Sequence, residues 1–197
     1  EVKTRLLTAE TNRALFEQLD RDMERRITSL ARLINTLPEV EDPRGLTAYI
    51  TLCLCHIKRR CNLFFLARQG EPLPGDELSM YLDELAELAR YGGVNTLIRC
   101  GKVGALKLRG AALCYDFAFE TISWTLREKA TPLMGYLNAE GAQLVFRFLP
   151  GGDPGQWRFS QELVAAVTAL GGQIACKDLD GAYGICLTVP LGGEACG

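Results

Sequence analysis

The stretch Phe159-Ser-Gln-Glu-Leu163-Val-Ala-Ala-Val-Thr-Ala-Leu170-Gly171-Gly172-Gln173 decides the reading of this chain. It predicts a helix over Ser160–Leu170, stopped by the paired glycines. Beyond it, Gln173–Lys177 and Tyr183–Val189 predict a closing hairpin around Asp178–Gly181, ending in Ile185-Cys-Leu-Thr-Val-Pro190. Upstream, Leu133–Asn138 and Gln143–Leu149 read as a strand pair joined near Ala139-Glu140-Gly141, with a loop over Pro150–Trp157. Ala111–Ala130 reads as a helix with Leu113, Phe117, Thr121 and Trp124 on one side, and Val94–Cys100 as a strand. Asp76 can cap a helix expected to carry Leu78, Leu82, Leu85 and Leu88 inward to about Tyr91, where Gly92-Gly93 ends it. The order α, β, α, β, β, α, β, β describes a mixed sheet with helices packed on it, an α+β sandwich.

The N-terminal third is different in kind. No proline or glycine occurs before Pro38, and Phe16, Leu19, Met23, Ile27, Leu30, Ile34 and Leu37 form one apolar stripe on a charged helix. Such a helix would span ~55 Å at 1.5 Å per residue, long for a small globule and suited to a bundle. Pro38–Gly45 reads as a turn, and Leu46–Ala67 as a second helix with a stripe from Leu46 through Ile50, Leu54 and Ile57 to Phe64 and Phe65. Two long helices with a short connection are expected to lie antiparallel, and two such hairpins would bury both stripes in a dimeric four-helix bundle. The linker Gln69–Gly75 (QGEPLPG) separates the two regions. The expected organisation is a helical hairpin over 1–70 and an α/β domain over 76–192.

Composition excludes several classes. Of 197 residues, 48% are hydrophobic and 23% charged, the balance of a globular protein with a real core. A net charge of −2 argues against a general nucleic-acid or membrane-surface binder. The eight cysteines (Cys53, Cys55, Cys61, Cys100, Cys114, Cys176, Cys186 and Cys196) include no CxxC pair. Cys53 and Cys55 sit two apart in a helical run, point apart, and so suit buried thiols of a reducing compartment better than a zinc site. No stretch reaches the ~20 apolar residues of a membrane span. A cytoplasmic location is expected, either free or as the cytoplasmic portion of a membrane-anchored receptor.

A helical hairpin joined by a short linker to this α/β order resembles the sensor histidine kinase family. The resemblance rests on the architecture and on two motifs. Glu120-Thr-Ile-Ser-Trp124-Thr-Leu-Arg127-Glu128 is similar to the family's helix motif E-x-x-x-N-x-x-[KR]-[HY]. Glu120 matches the acid and Arg127 the basic position, while Trp124 replaces the asparagine and Glu128 the aromatic or histidine. The stretch from Phe159 to Pro190 is similar to the family's closing helix, its leucine-glycine-glycine end and its final hairpin.

What the resemblance implies about chemistry is largely missing from the residues. In the family the asparagine helps hold Mg²⁺ against the phosphates of ATP. Magnesium needs hard oxygen ligands, and the indole of Trp124 offers none. The plainer reading of Trp124 is the core residue of an amphipathic helix. The D-x-G-x-G loop expected for adenine is Asp153-Pro154-Gly155-Gln156-Trp157, with Trp157 at the second glycine. Asp153 is then either a remnant adenine contact or a turn residue. Arg158-Phe159-Ser160 leads directly into the next helix, which leaves no room for a nucleotide lid. A degenerate nucleotide site around Glu120, Trp124, Arg127, Asp153 and Gly155 follows, with no metal site and no cofactor expected beyond weak ATP and magnesium.

The family's phosphoacceptor histidine is absent from the first helix, where Asp20-Arg21-Asp22 stands instead. The single histidine is His56, in Cys55-His56-Ile57-Lys58-Arg59-Arg60 on the second helix. Neighbouring cations favour its neutral form, and Lys58 or Arg59 would hold a phosphoryl group placed there. A packing role for His56, and a solvated helix face for the basic belt, are the plain alternatives. His56 and Glu120 are the catalytic candidates. The sequence therefore leads to a degenerate kinase acting as a dimeric scaffold or regulator in two-component signalling. A phosphotransferase working through His56 and an atypical active kinase are its rivals. The expected partners are a second copy through residues 1–67 and a response regulator receiver domain or another kinase.

Overall fold

The computed structural model describes residues 23–41, 43–155, 157–178 and 182–191. The expected helix over 1–22, the tip of the final hairpin and Cys196 lie outside the described residues. The chain forms two compact units, Glu1–Pro43 and Arg44–Gly197. In the first, residues 23–36 are helical (α1), followed by a 3₁₀ turn at Leu37–Glu39.

The second unit holds helices α2 (Pro43–Gln69), α3 (Gly75–Tyr91), α4 (Leu108–Glu128) and α5 (Gln161–Ala169). Its strands are β1 (Thr96–Cys100), β2 (Leu133–Glu140), β3 (Gln143–Pro150), β4 (Gln173–Asp178) and β5 (Tyr183–Pro190). They form one mixed sheet in the order β1-β2-β3-β5-β4. β1 runs parallel to β2 with Ile98 opposite Gly135, and every other pairing is antiparallel. The expected α+β sandwich is thus the observed one.

The sheet has one covered face. Leu133 and Leu137 of β2, Leu144, Phe146 and Phe148 of β3, and Ile185, Leu187 and Val189 of β5 alternate inward into a core shared with the helices. Their neighbours Met134, Tyr136 and Leu149 are exposed on the other face. α4 lies deepest, with residues from Gly110 to Leu126 buried on nearly every side. The expected division after residue 70 falls inside this unit. Ala48, Leu52 and Leu63 of α2 belong to the same core as Leu78, Leu82 and Leu85 of α3. The physical reason is the spacing of Ala48, Leu52 and His56, which puts small and apolar groups on one inward stripe of α2. Among the described residues no helix is long and apolar enough to cross a membrane.

Helix ends follow the glycine pairs. Gly171 takes φ +75°, its N–H reaching Thr168 O at 2.9 Å while Gly172 N–H reaches Val167 O at 2.9 Å, a Schellman motif closing α5. The same arrangement closes α3, with Gly93 N–H on Arg90 O and Val94 N–H on Ala89 O. Because Val94 completes that motif, β1 starts at Thr96, two residues later than the sequence suggests.

After β3 the chain turns hard against the segment before β2. A Cβ on Gly151 would meet the Thr131 carbonyl oxygen at 2.2 Å, and this is backbone, which cannot swing aside. Gly151→Ala is therefore expected to destabilise the fold by about 1–3 kcal/mol, as overpacking does. Urea denaturation of the two chains measures it.

Candidate functional site

One face of α4 and one loop build the site. Glu120, Trp124 and Arg127 recur at helical spacing along α4, and the loop after β3 brings Asp153, Gly155 and Trp157 opposite them. Trp124, Arg127, Asp153, Gly155 and Trp157 line one cavity of about 730 Å³ at the C-terminal end of α4. Four of the five residues assigned from sequence to a degenerate nucleotide site thus share a wall. The fifth, Glu120, sits one turn earlier on the helix.

The two indoles stack on each other, ring centroids 5.2 Å apart and planes 24° apart. Trp124 is only 4% exposed. Trp157 then meets Phe159 edge-on at 4.3 Å, and Phe159 stacks on Phe117 at 5.1 Å. A continuous ladder of rings therefore runs from the cavity wall into the core beside Phe146 and Phe148. Offset and edge-to-face ring pairs of this kind add about 0.5–1.5 kcal/mol each beyond the area they bury. The ladder is what fixes the loop.

The polar residues are engaged with the scaffold. Asp153 Oδ1 accepts from Gly155 N–H at 2.6 Å, an Asx turn that places Gly155 at φ +54°. The charge of Asp153, then burial and a hydrogen bond to the same carboxylate, push the Tyr183 phenol above its ordinary pKa. Glu120 accepts from the Ser160 N–H at 2.8 Å and from the Ser160 hydroxyl. Ser160 in turn caps α5, its Oγ accepting from Leu163 N–H at 3.2 Å. One carboxylate on α4 thus sets where α5 begins. Among the described residues no three histidine, cysteine or acidic side chains gather as a metal site.

His56 does not line this cavity. It is 2% exposed on the inward face of α2, with Nε2 2.7 Å from Asp116 Oδ1 of α4. Its ring stacks on Phe119 at 3.9 Å and on Tyr115 at 5.6 Å. Arg60 Nε lies 3.3 Å from the same Asp116 oxygen. One turn away, Arg59 Nε donates to Glu84 of α3 at 2.9 Å and covers the Tyr81 ring at 4.2 Å. Burial, with a hydrogen bond to Glu77, pushes the Tyr81 phenol up to about 12. The belt of three cations is therefore split: Arg59 and Arg60 turn to acidic partners, and Lys58 is exposed. Asp116, Glu84 and Ser160 carry no local sequence signal for these roles. Asp116 stands 60 positions from His56, and only the packing of α2 on α4 joins them.

No family model matches the chain, and no curated protein matches it. Solved structures do. The histidine kinase domain of the blue-light activated histidine kinase EL346 from Erythrobacter litoralis aligns with a TM-score of 0.52 at 13% identity, over 88% of this chain and 93% of that one. The chain has the fold of a histidine kinase domain. The histidine kinase AdeS of Acinetobacter baumannii aligns at a TM-score of 0.47 and 9% identity, over 87% of this chain and 98% of that one. A bacterial phosphotransferase aligns at 0.49 and 11%, over 86% and 91%. At these identities the likeness is one of fold, and it was legible in the order of elements and in the two motifs.

Within that histidine kinase fold, the Glu120–Ser160 contact is a scaffold bond. Ser160→Ala is expected to lose about 1 kcal/mol through the missing cap alone. In a double-mutant cycle with Glu120→Gln the two residues should show coupling of roughly 0.5–3 kcal/mol, since they share hydrogen bonds. Chemical denaturation of the four chains gives the cycle, and additive losses would refute the assignment.

Proposed function

We propose that this chain is a degenerate histidine kinase-like protein that acts as a dimeric scaffold or regulator in two-component signalling, with weak or no ATP binding. The observation that carries the proposal is the stacked pair Trp124–Trp157. It occupies the two positions at which the resembled motifs have a magnesium-binding asparagine and a loop glycine. Magnesium requires oxygen donors in near-octahedral geometry. The cavity wall offers indole carbon there, and the nearby Asp153 is committed to Gly155 and Tyr183. These residues do not fit a magnesium nucleotide. The loop also passes from Trp157 to the first turn of α5 in three residues, so no lid closes over a phosphate.

Isothermal titration with Mg-ATP tests the reading. No heat of binding up to millimolar nucleotide is expected, and micromolar affinity would overturn it. An atypical active kinase would show that affinity together with autophosphorylation lost in Glu120→Gln.

The dimer is supported by exposed apolar groups on the helices. Leu54 and Phe65 of α2 are 49% and 52% exposed, and Ile27 and Ile34 of α1 are likewise open. Exposed apolar residues at helical spacing suit a second copy of the chain. Leu54→Glu with Phe65→Glu is expected to turn a dimer into a monomer in light scattering, with the circular dichroism spectrum unchanged. A wild-type monomer at tens of micromolar would remove the dimer from the proposal.

A second reading has its own observation. His56 is the chain's single histidine and stands in one belt with Lys58, Arg59 and Arg60, cations that suit a phosphoryl group. On this reading the protein is a histidine phosphotransferase that takes a phosphoryl group from a response regulator. Transfer of label from a phosphorylated receiver domain, absent in His56→Gln, would establish it.

A further inference from the structure

The ring proposed for phosphotransfer is closed in the structure. Its Nε2 is bonded to Asp116, its faces are covered by Phe119 and Tyr115, and almost none of it meets solvent. A phosphoryl donor as large as a protein domain has no approach to that nitrogen while α2 stays docked.

What docks α2, with this ring on its inner face, is unusually polar. Asp116 of α4 takes both His56 and Arg60 on one carboxylate oxygen. Glu84 of α3 takes Arg59, and Cys55 hydrogen-bonds the same glutamate. The thiol of Cys55 is pushed up by burial first and by Glu84 next, so it remains a neutral donor. The hydroxyl of Tyr115, buried among these groups, makes no hydrogen bond. An unpaired buried hydroxyl opposes docking, whereas the two carboxylates favour it. The docked position is therefore set by a small number of charged bonds on two acidic residues, and not by apolar contact alone.

We propose that Asp116 and Glu84 latch α2 against α3 and α4 with His56 on its inner face, so that His56 becomes reactive only when the latch opens and α2 lifts from those helices. The consequence for chemistry rests on the phosphotransferase reading above. Against the Asp116 carboxylate Nε2 carries the ring proton; with the latch open that proton passes through solvent to Nδ1, and the freed Nε2 lone pair would attack the phosphorus of an acyl phosphate on a receiver domain. The N–P bond forms as the P–O bond to the acyl carbon's oxygen breaks, the electron pair leaves on the carboxylate, and the remaining ring proton goes to solvent. The same acidic residues compete with any acidic partner for Arg59 and Arg60, so opening uncovers the histidine and the cations that would hold the phosphoryl group together.

The test uses the full chain and diethyl pyrocarbonate, followed by the ultraviolet absorbance of the acylated imidazole, which reports on one residue because the chain has a single histidine. Wild type is expected to react far more slowly than the same chain unfolded in urea. Asp116→Asn, which keeps the side-chain shape, and Asp116→Ala should each react roughly tenfold faster or more, the scale of losing a charged hydrogen bond. Glu84→Gln should move the rate in the same direction. Amide exchange checks that the sheet stays protected in each variant while α2 loses protection. A wild-type rate equal to that of the unfolded chain, or equal rates in wild type and all three variants, would overturn the latch. Exposing the same chains to a phosphorylated receiver separates the two ideas. Faster acylation with no phosphoryl transfer in the Asp116 variants upholds the latch and removes the phosphotransferase reading.

Discussion

The burial of α4 on nearly every side is the constraint that organises the second unit. A helix with a single apolar stripe can serve one neighbour. α4 has Phe117, Ala118 and Ile122 in the core that also holds the sheet's inward residues, Asp116 and Phe119 against α2, and Glu120 and Trp124 towards α5 and its loop. Burying so much of one helix concentrates the hydrophobic driving force in it, at about 25 cal/mol per Å² of apolar surface removed from water. Its polar residues divide: Thr121 and Thr125 bond carbonyls of their own helix, the Tyr115 and Ser123 hydroxyls make no hydrogen bond, and two carboxylates reach neighbouring elements. Asp116 holds the middle of α2 through His56 and Arg60, and Glu120 holds Ser160, where α5 begins.

This division of labour explains how a histidine kinase fold can keep its shape while the resembled nucleotide motif is altered. The residues that hold the layers together are Phe117, Ile122 and the inward residues of β2, β3 and β5, none of which belongs to the altered positions. At the altered positions the substitution is of a particular kind. Two tryptophans have replaced a polar and a small residue of the resembled motifs, and they stack on each other and on Phe159. An asparagine or glycine there would make no such ring contact with the loop. A loop that is held by its own aromatic contacts has less conformational entropy to lose and less reason to depend on bound nucleotide for its structure.

How legible this was depends on how local the physics is. The two glycine pairs were readable because a Schellman motif needs only a residue tolerant of positive φ and the backbone of the preceding turn. Gly92-Gly93 and Gly171-Gly172 accordingly end α3 and α5 where the sequence puts them. The alternation of β2, β3 and β5 was readable for a similar reason, as a period of two that one covered sheet face imposes. The site was readable in part. Trp124, Arg127, Asp153 and Gly155 meet at one cavity because they flank a single helix end and a single loop. The roles of Glu120 and Asp116 were not readable, since each is defined by a partner 40 or 60 positions away whose own sequence context is unremarkable. The place of α2 was hidden for the same reason. Its apolar stripe is compatible with a bundle, and only the tertiary packing shows Leu52 and Leu63 in one core with α3.

The same long-range contacts bear on what the lone histidine can do. An exposed imidazole on a solvated helix would be limited only by its chemistry. The imidazole of His56 is limited by the free energy needed to separate α2 from Asp116, Glu84 and the core residues around Leu52 and Leu63. Any reactivity it has is therefore the product of an intrinsic rate and an opening equilibrium, and a partner that binds the opened helix would raise the second factor by its differential affinity for that state. Such an equilibrium is a place where a signal could act. Asp116 is where it would be set, because one carboxylate oxygen there meets both the ring and the Arg60 guanidinium.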